Sequence, residues 1–497
     1  MHKSSFVIVL FFLQSVVCAQ SINTSVASRL QNKESIKSII GSNDSLIYVL
    51  KRQSPTFSAS KFEIDVYDHE LQKLKNIPIE LPFSESNNSI AIKRIFINNN
   101  IPYVYYEVDN RNSKQISAMV YDYSKRASVL LTSMPYEKSS RPPVFTITSD
   151  SSKMLVVAQA AFDKNSNETY HIQLFDEKIN LLWNERLELP YASKNFTLEK
   201  VKLYQNSVYF LANTNSEKSF ENSEKFVLIR YDNNNNSVKE FELGLTGKWI
   251  TSATFEIAND STLYVGGFYS NDKSFSIAGT FFLSIDLRSN TISDKSLKAF
   301  SENFMSEFLP PRRVKKGAEL SSFYFDHFII KPNGGAIFIA EQYFKSVSNY
   351  HDIHSGFYNF NTIYYYNDII VVSVDAEGQI EWNKKVAKKQ YSVNDFGYYS
   401  SYALTYINNS VHIFFNDHPR NNNLKNRDQN LRYMNYPQRA IITQATITEN
   451  GQLYYSQLKS EKNNLILRPK LSFRNENNHL IMLTERNKFY GLIQVKP

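Results

Sequence analysis

The chain has 497 residues, 42 % of them hydrophobic and 14 % aromatic, enough to bury a large core. A formal net charge of +8, from 56 basic and 48 acidic residues, is mild for this length and argues against nucleic acid as the natural partner. Cys18 is the sole cysteine, which excludes a disulfide framework within the chain, structural zinc held by cysteines and a redox couple.

The N-terminus reads as a targeting segment. Lys3 supplies the positive start, residues 6–17 the apolar run, and Val17-Cys18-Ala19 a small-residue cleavage site before Gln20. The expectation is a signal peptide over 1–19 and an exported product. Lipid attachment at Cys18 is the alternative. No other stretch approaches the roughly 20 apolar residues a membrane-spanning helix needs.

Beyond residue 20 the chain repeats itself. Alternating apolar runs end at Asp68, Asp122, Asp176, Asp232, Asp286, Asp375 and, more weakly, Glu449, and each is followed by a polar turn and a second run. The steps between them are 54, 54, 56, 54, 89 and 74 residues. A period near fifty marks a propeller or solenoid, and the two long steps read as one period plus an insertion. Each period holds four strand-like runs, in the third at 144–148, 154–160, 170–176 and 181–187. Radial repetition of four-stranded units is one solution to exposed sheet edges. Glycine is scarce, at 14 residues, so Asn, Asp and Ser carry the turns, and the acid closing each third run reads as a turn acceptor.

The C-terminal segment supplies only three runs, while 21–30 is one run too many at the other end. Together they complete an eighth unit. The predicted fold is therefore all-β, an eight-bladed β-propeller spanning 20–497 and closed by both ends. Seven blades is the alternative; a β-sandwich or two smaller β domains is the competing architecture.

The insertions fall at 301–321, 346–366 and 417–437, with a lesser link at 388–398. Alternating strand direction places all four on one face of a propeller, where long loops on a rigid scaffold usually bind. Their residues are aromatic and basic. Tyr343, Tyr350, His351, His354, Tyr358, His418, Arg420, Arg427 and Arg432 form the expected binding surface for a protein or for a glycan or other anionic ligand. The same aromatic side chains also suit packing of the loops on themselves.

Three chemistries compete with plain binding. His351, His354 and His418 offer imidazoles for a metal, although the spacing carries no metalloenzyme motif. Glu341 and Asp417 end equivalent strands and are the candidate acid and base of a polysaccharide-acting or other hydrolytic or lyase enzyme. A scaffold in a cell-envelope assembly is the third role. No motif for a bound cofactor is present, and the protein is expected to be a monomeric, non-enzymatic binding module.

Asp375, Gly378 and Trp382 resemble the acid–Gly–x–x–x–Trp repeat of quinoprotein-like eight-bladed propellers; Asp176 and Trp183 resemble it with Ile179 in the glycine position. The resemblance implies a ring of four-stranded blades with tryptophans docking neighbours. It does not extend to quinone chemistry, because the chain lacks the cysteine pair of many such dehydrogenases. The whole chain also looks like exported β-propeller proteins of Gram-negative bacteria.

Overall fold

The computed structural model describes residues 21–496, except 32–33, 44, 54–60, 80–88, 111–114, 123, 125–126, 136–143, 148–151, 161–165, 215–225, 260, 273, 294, 352–357, 423–426, 459–465 and 476–478. Residues 1–20, including Cys18 and the expected signal peptide, and His354 lie outside the described residues.

The described strands pair into eight antiparallel sheets. Seven follow one another along the chain at 34–79, 89–135, 144–192, 197–242, 249–299, 323–393 and 403–457. The eighth joins Ile466–Leu467, Phe473–Arg474, Leu480–Arg486 and Phe489–Lys496 to Ser21–Thr24 and Ser28–Arg29. Within each of the first seven sheets the four main strands lie in chain order, which hairpin connections enforce.

Apolar clusters sit between each sheet and the next. Val49 and Ile47 of the first sheet pack on Ile481 and Leu483 of the eighth, and the seventh meets the eighth through Phe414 and Met482. Every consecutive pair has such a cluster, so the succession closes on itself as a β-propeller. The first strands of the first and second, third and fourth, fourth and fifth, and fifth and sixth sheets touch, as expected of the inner strands of a propeller. Among the described residues no helix is long and apolar enough to cross a membrane.

The acid-ended hairpins share one turn. Asp68, Asp176 and Asp375 each accept two backbone N–H groups through Oδ1, at 2.7–3.1 Å, from the residues two and four positions on. Asp122, Asp232 and Asp286 hold their own turns in the same way. In the seventh sheet the acceptor is Thr448, one residue before the expected Glu449. The fourth residue of this turn adopts positive φ: Leu71, Ile179, Gly378 and Gly451 at 65°, 62°, 75° and 74°. It faces the preceding sheet. A Cβ on Gly451 would lie 2.6 Å from Trp382 Cγ, and Trp382 Nε1 donates to the Glu449 carbonyl at 2.8 Å. The tryptophan therefore docks the next blade, as the repeat implies. Leu71 and Ile179 instead bury their own side chains in the seam.

Candidate functional site

Among the described residues the insertions carry strands and short helical turns as well as loops. The middle strands of the sixth sheet, Ala336–His351 and Tyr358–Val374, continue past the blade as a ribbon, and Gln390–Val393 adds a third strand to it. Alternation along the ribbon separates two faces. One carries Phe344, Tyr365 and Tyr391, with centroid spacings of 4.6 and 6.0 Å. The other carries Tyr343 and Tyr366, 4.7 Å apart.

The 417–437 insertion packs on the first face. Tyr433 lies 5.5 Å from Tyr391, and Met434 N–H donates to the Lys389 carbonyl at 2.9 Å. The 301–321 link folds into two short helices, Glu302–Ser306 and Pro311–Val314, and its Glu307 carbonyl accepts from Lys385 of the sixth sheet at 2.7 Å. Val347 and Phe360 are about two-thirds exposed, and Val393, Phe396 and Tyr436 are exposed too.

The expected binding residues divide. Arg420 and Arg432 are exposed on this relief, and Tyr343 is half-buried. Tyr350, His351 and Tyr358 lie on the ribbon strands. Arg427 does not belong to the surface. Its buried guanidinium binds Asp417, the Ala387 carbonyl at 3.0 Å and the Asn421 carbonyl at 3.1 Å, because a loop crossing a blade must satisfy its own backbone. His418 caps a turn, its Nδ1 accepting the Arg420 N–H at 3.1 Å. Among the described residues no group of three or more His, Cys, Asp and Glu is placed to hold a metal.

Glu341 and Asp417, the candidate acid and base, are both buried in ion pairs of their own. Lys388 Nζ, fully buried, reaches Glu341 at 2.7 Å, the Tyr366 carbonyl at 2.9 Å and Gln390 at 3.1 Å. Ser401 Oγ donates to the other Glu341 oxygen at 2.7 Å. Gln390 passes the network to the Asn416 carbonyl, and Asn416 ties the seventh sheet to Leu467 of the eighth. This arrangement closes seams, and neither carboxylate lines a described cavity.

A set of residues not singled out from sequence lines the central channel. Two cavities, of about 540 and 760 Å³, share Glu256, Phe328 and Arg474 and lie end to end along the inner strands. The smaller adds Lys200, Thr251, Ser252, Thr254, Phe275, Tyr324, Asp326 and His327. Five first strands bulge, their register stepping over Lys37, Lys93, Glu199, Thr251 and Asp326, and the last three of these residues line the smaller cavity. A bulge re-aims a side chain, and bulges concentrate near sites. In sequence each is an apolar–polar–polar–apolar quartet that breaks the strand alternation: Ile36–Ile39, Ile92–Ile95, Leu198–Val201, Ile250–Ala253 and Phe325–Phe328.

The electrostatics of the channel follow. Glu256 is held between Lys200, at 2.8 Å, and Lys202; the two cations and their hydrogen bonds outweigh burial and lower its pKa. Asp326 accepts from Tyr402 Oη at 2.9 Å, yet burial in the concave wall and the Glu341 charge push its carboxyl up to about 7. Burial and the Arg474 charge push His327 down to about 4. Water reaches both side chains, but only from the channel, which is why they are accessible and still poorly solvated.

No family model and no curated protein matches this sequence. Solved structures similar to it include a prolyl endopeptidase, with TM-score 0.41 and 9 % identity over 92 % of this chain and 55 % of that one. The β-propeller domain of the trilobed protease from Pyrococcus furiosus gives 0.37 and 10 % over 87 % and 97 %. Oligogalacturonate lyase in complex with manganese gives 0.38 and 10 % over 96 % of each chain. The chain thus spans little more than half the length of the first. The likeness is one of fold alone, and the architecture rests on the strand pairing.

Proposed function

We propose that this chain is a non-enzymatic binding module that holds a protein partner with an acidic surface against the face built by the three insertions. The observation that supports the reading is their union into one ordered relief around the sixth sheet, with exposed Val347, Phe360, Val393 and Tyr436 beside exposed Lys345, Arg420, Arg432 and Arg439. A protruding ribbon with apolar branched side chains offers contact area to a protein, whereas a glycan needs a groove or a flat platform. The enzyme reading loses its acid and base, since Glu341 and Asp417 are engaged in separate buried ion pairs. The N-terminal apolar run is the reason for placing the interaction outside the cytoplasm.

The test replaces 348–361 by a two-residue turn and compares partner capture from a cell-envelope extract by the full chain and by the variant. Capture should be lost in the variant and weakened by salt in the full chain, with the urea midpoint unchanged. Equal capture by both proteins would count against the reading.

A further inference from the structure

The channel is distinct from the ribbon and carries its own chemistry. Among the described residues Arg474 makes no hydrogen bond or ion pair, although it lines both cavities and is accessible. A guanidinium is a planar fork suited to an oxyanion, and one held in a concave wall without a carboxylate partner is available for a ligand. Over the two cavities three cations, Lys200, Lys202 and Arg474, face three carboxylates, Glu199, Glu256 and Asp326. Lys200 and Lys202 are both paired with Glu256, and all three donors of Lys200 are spent on Thr254, the Phe255 carbonyl and Glu256, which leaves Arg474 as the cation open to a ligand.

The body of the ligand is defined by the rest of the lining. Phe275 is 78 % exposed and Tyr324 56 % exposed, and both face the smaller cavity. Aromatic faces left accessible inside a concavity are unusual unless something stacks on them. Thr251, Ser252, Thr254 and Asp326 add hydroxyl and carboxyl groups to the same lining. Rings for apolar faces, polar groups for hydroxyls and a fork for a charge together describe a sugar that carries an oxyanion. A volume of about 540 Å³ falls in the range of small-molecule sites.

We propose that this compartment of the channel is a binding site for a small anionic sugar, one bearing a carboxylate or a phosphate, with its charged group on Arg474 and its ring against Phe275 and Tyr324. Tyr324 packs edge to face on Tyr343 at the foot of the ribbon, 5.6 Å away; no described ribbon residue lines the site, and it does not require the protein partner proposed above.

The test is calorimetric titration of the full chain with glucuronate, glucose 6-phosphate and glucose. One of the two anionic sugars should bind more tightly than glucose, and whichever does so identifies the oxyanion. R474Q should weaken that binding by at least about tenfold and leave glucose binding unchanged. R474K, which keeps the charge and loses the fork, should fall between. The F275A/Y324A pair, exposed and therefore compatible with folding, should weaken all three sugars. No preference for an anionic sugar, an R474Q affinity equal to that of the parent, or no binding by any of the three overturns the proposal. The ribbon-shortened variant should bind the sugar as the full chain does, which separates this test from that of the partner surface.

Discussion

At the scale of single residues, the turn acids show how one side chain is reused for geometry. Asp176 satisfies two N–H groups that the tight turn leaves without strand partners, and Ile179 then takes a left-handed φ. For a β-branched residue that conformation costs about 1–2 kcal/mol, whereas burying the side chain and filling its space contribute about 2–5 kcal/mol. Burial wins, so I179G should lower stability by a net of about 1–3 kcal/mol in urea unfolding; a rise in midpoint would mean that strain dominates. The Asp417–Arg427 pair obeys the converse rule. R427M leaves a buried carboxylate uncompensated and should cost about 3–5 kcal/mol, and the double variant D417N/R427M should recover part of the loss.

Asp326 allows a pH prediction. Its carboxyl titrates near 7 in the folded chain, above its ordinary range, with Glu341, Tyr402, Lys388, His327 and Arg474 as the charged or titratable groups around it. The folded chain therefore binds the proton more tightly than the unfolded chain, and this contribution to stability is fully present below the ordinary carboxylate range and is lost as pH rises from there to about 7. D326N should exceed the parent in thermal midpoint by a smaller margin at pH 5 than at pH 8. An equal midpoint difference at both pH values would show that Asp326 does not titrate in this window.

At the scale of elements, strand alternation was readable and its interruptions were the richer signal. Period-2 patterning located the strands, and the doubled polar pairs Glu199-Lys200, Thr251-Ser252 and Asp326-His327 marked positions where one residue leaves the ladder. Read as plain strand, these pairs look like solvent-facing noise. Their meaning depends on three inner strands sharing one cavity, which no single strand contains. The ribbon shows the opposite error. The 346–366 segment is rich in tyrosine and reads as a binding loop, yet Ile363, Tyr364, Tyr365 and Tyr366 gain ladder partners on both sides and become a central strand. Glu341, Asp417 and Arg427 were legible as residues of interest because charged groups at the ends of apolar strands are rare. Sequence does not say whether such a charge faces a ligand or an opposite charge; the structure supplies Lys388 for Glu341 and Asp417 for Arg427, each from the same blade.

At the scale of the whole molecule, the ring depends on its closing seam. The eighth sheet takes its outer strand from residues 21–29, and Ser25 exchanges both backbone and side-chain hydrogen bonds with Leu492. Beneath this seam lies a buried group spanning both ends of the chain: Tyr67 Oη donates to Tyr490 Oη at 2.7 Å, and Tyr490 Oη donates to Asp65. Burial alone would raise the Asp65 pKa, but the Tyr490, Lys73 and Asn76 hydrogen bonds and the Lys51 charge together lower it. The stability this contributes is present above the ordinary carboxylate range and is lost as pH falls through the depressed value. Y490F should therefore destabilise the ring by about 1–3 kcal/mol at neutral pH, and acid unfolding should begin at higher pH than in the parent. A chain starting at Gln31 should lose far more, because the whole outer edge of the eighth sheet becomes unpaired; retention of the parent's urea midpoint would refute the closing role.

The repeat period, the four-strand unit, the turn acids and the pairing of the two ends follow from local alternation and spacing, which a linear sequence displays directly. The tertiary structure alone decided which charges neutralise each other, which aromatic side chains are consumed in seams, and that Arg474 from the last sheet meets His327 from the sixth across a channel. Those outcomes are set by contacts whose sequence separations range from 10 positions, for Asp417 and Arg427, through 47, for Glu341 and Lys388, to the span between the sixth and the last sheet. Their distances are fixed only once the ring has closed.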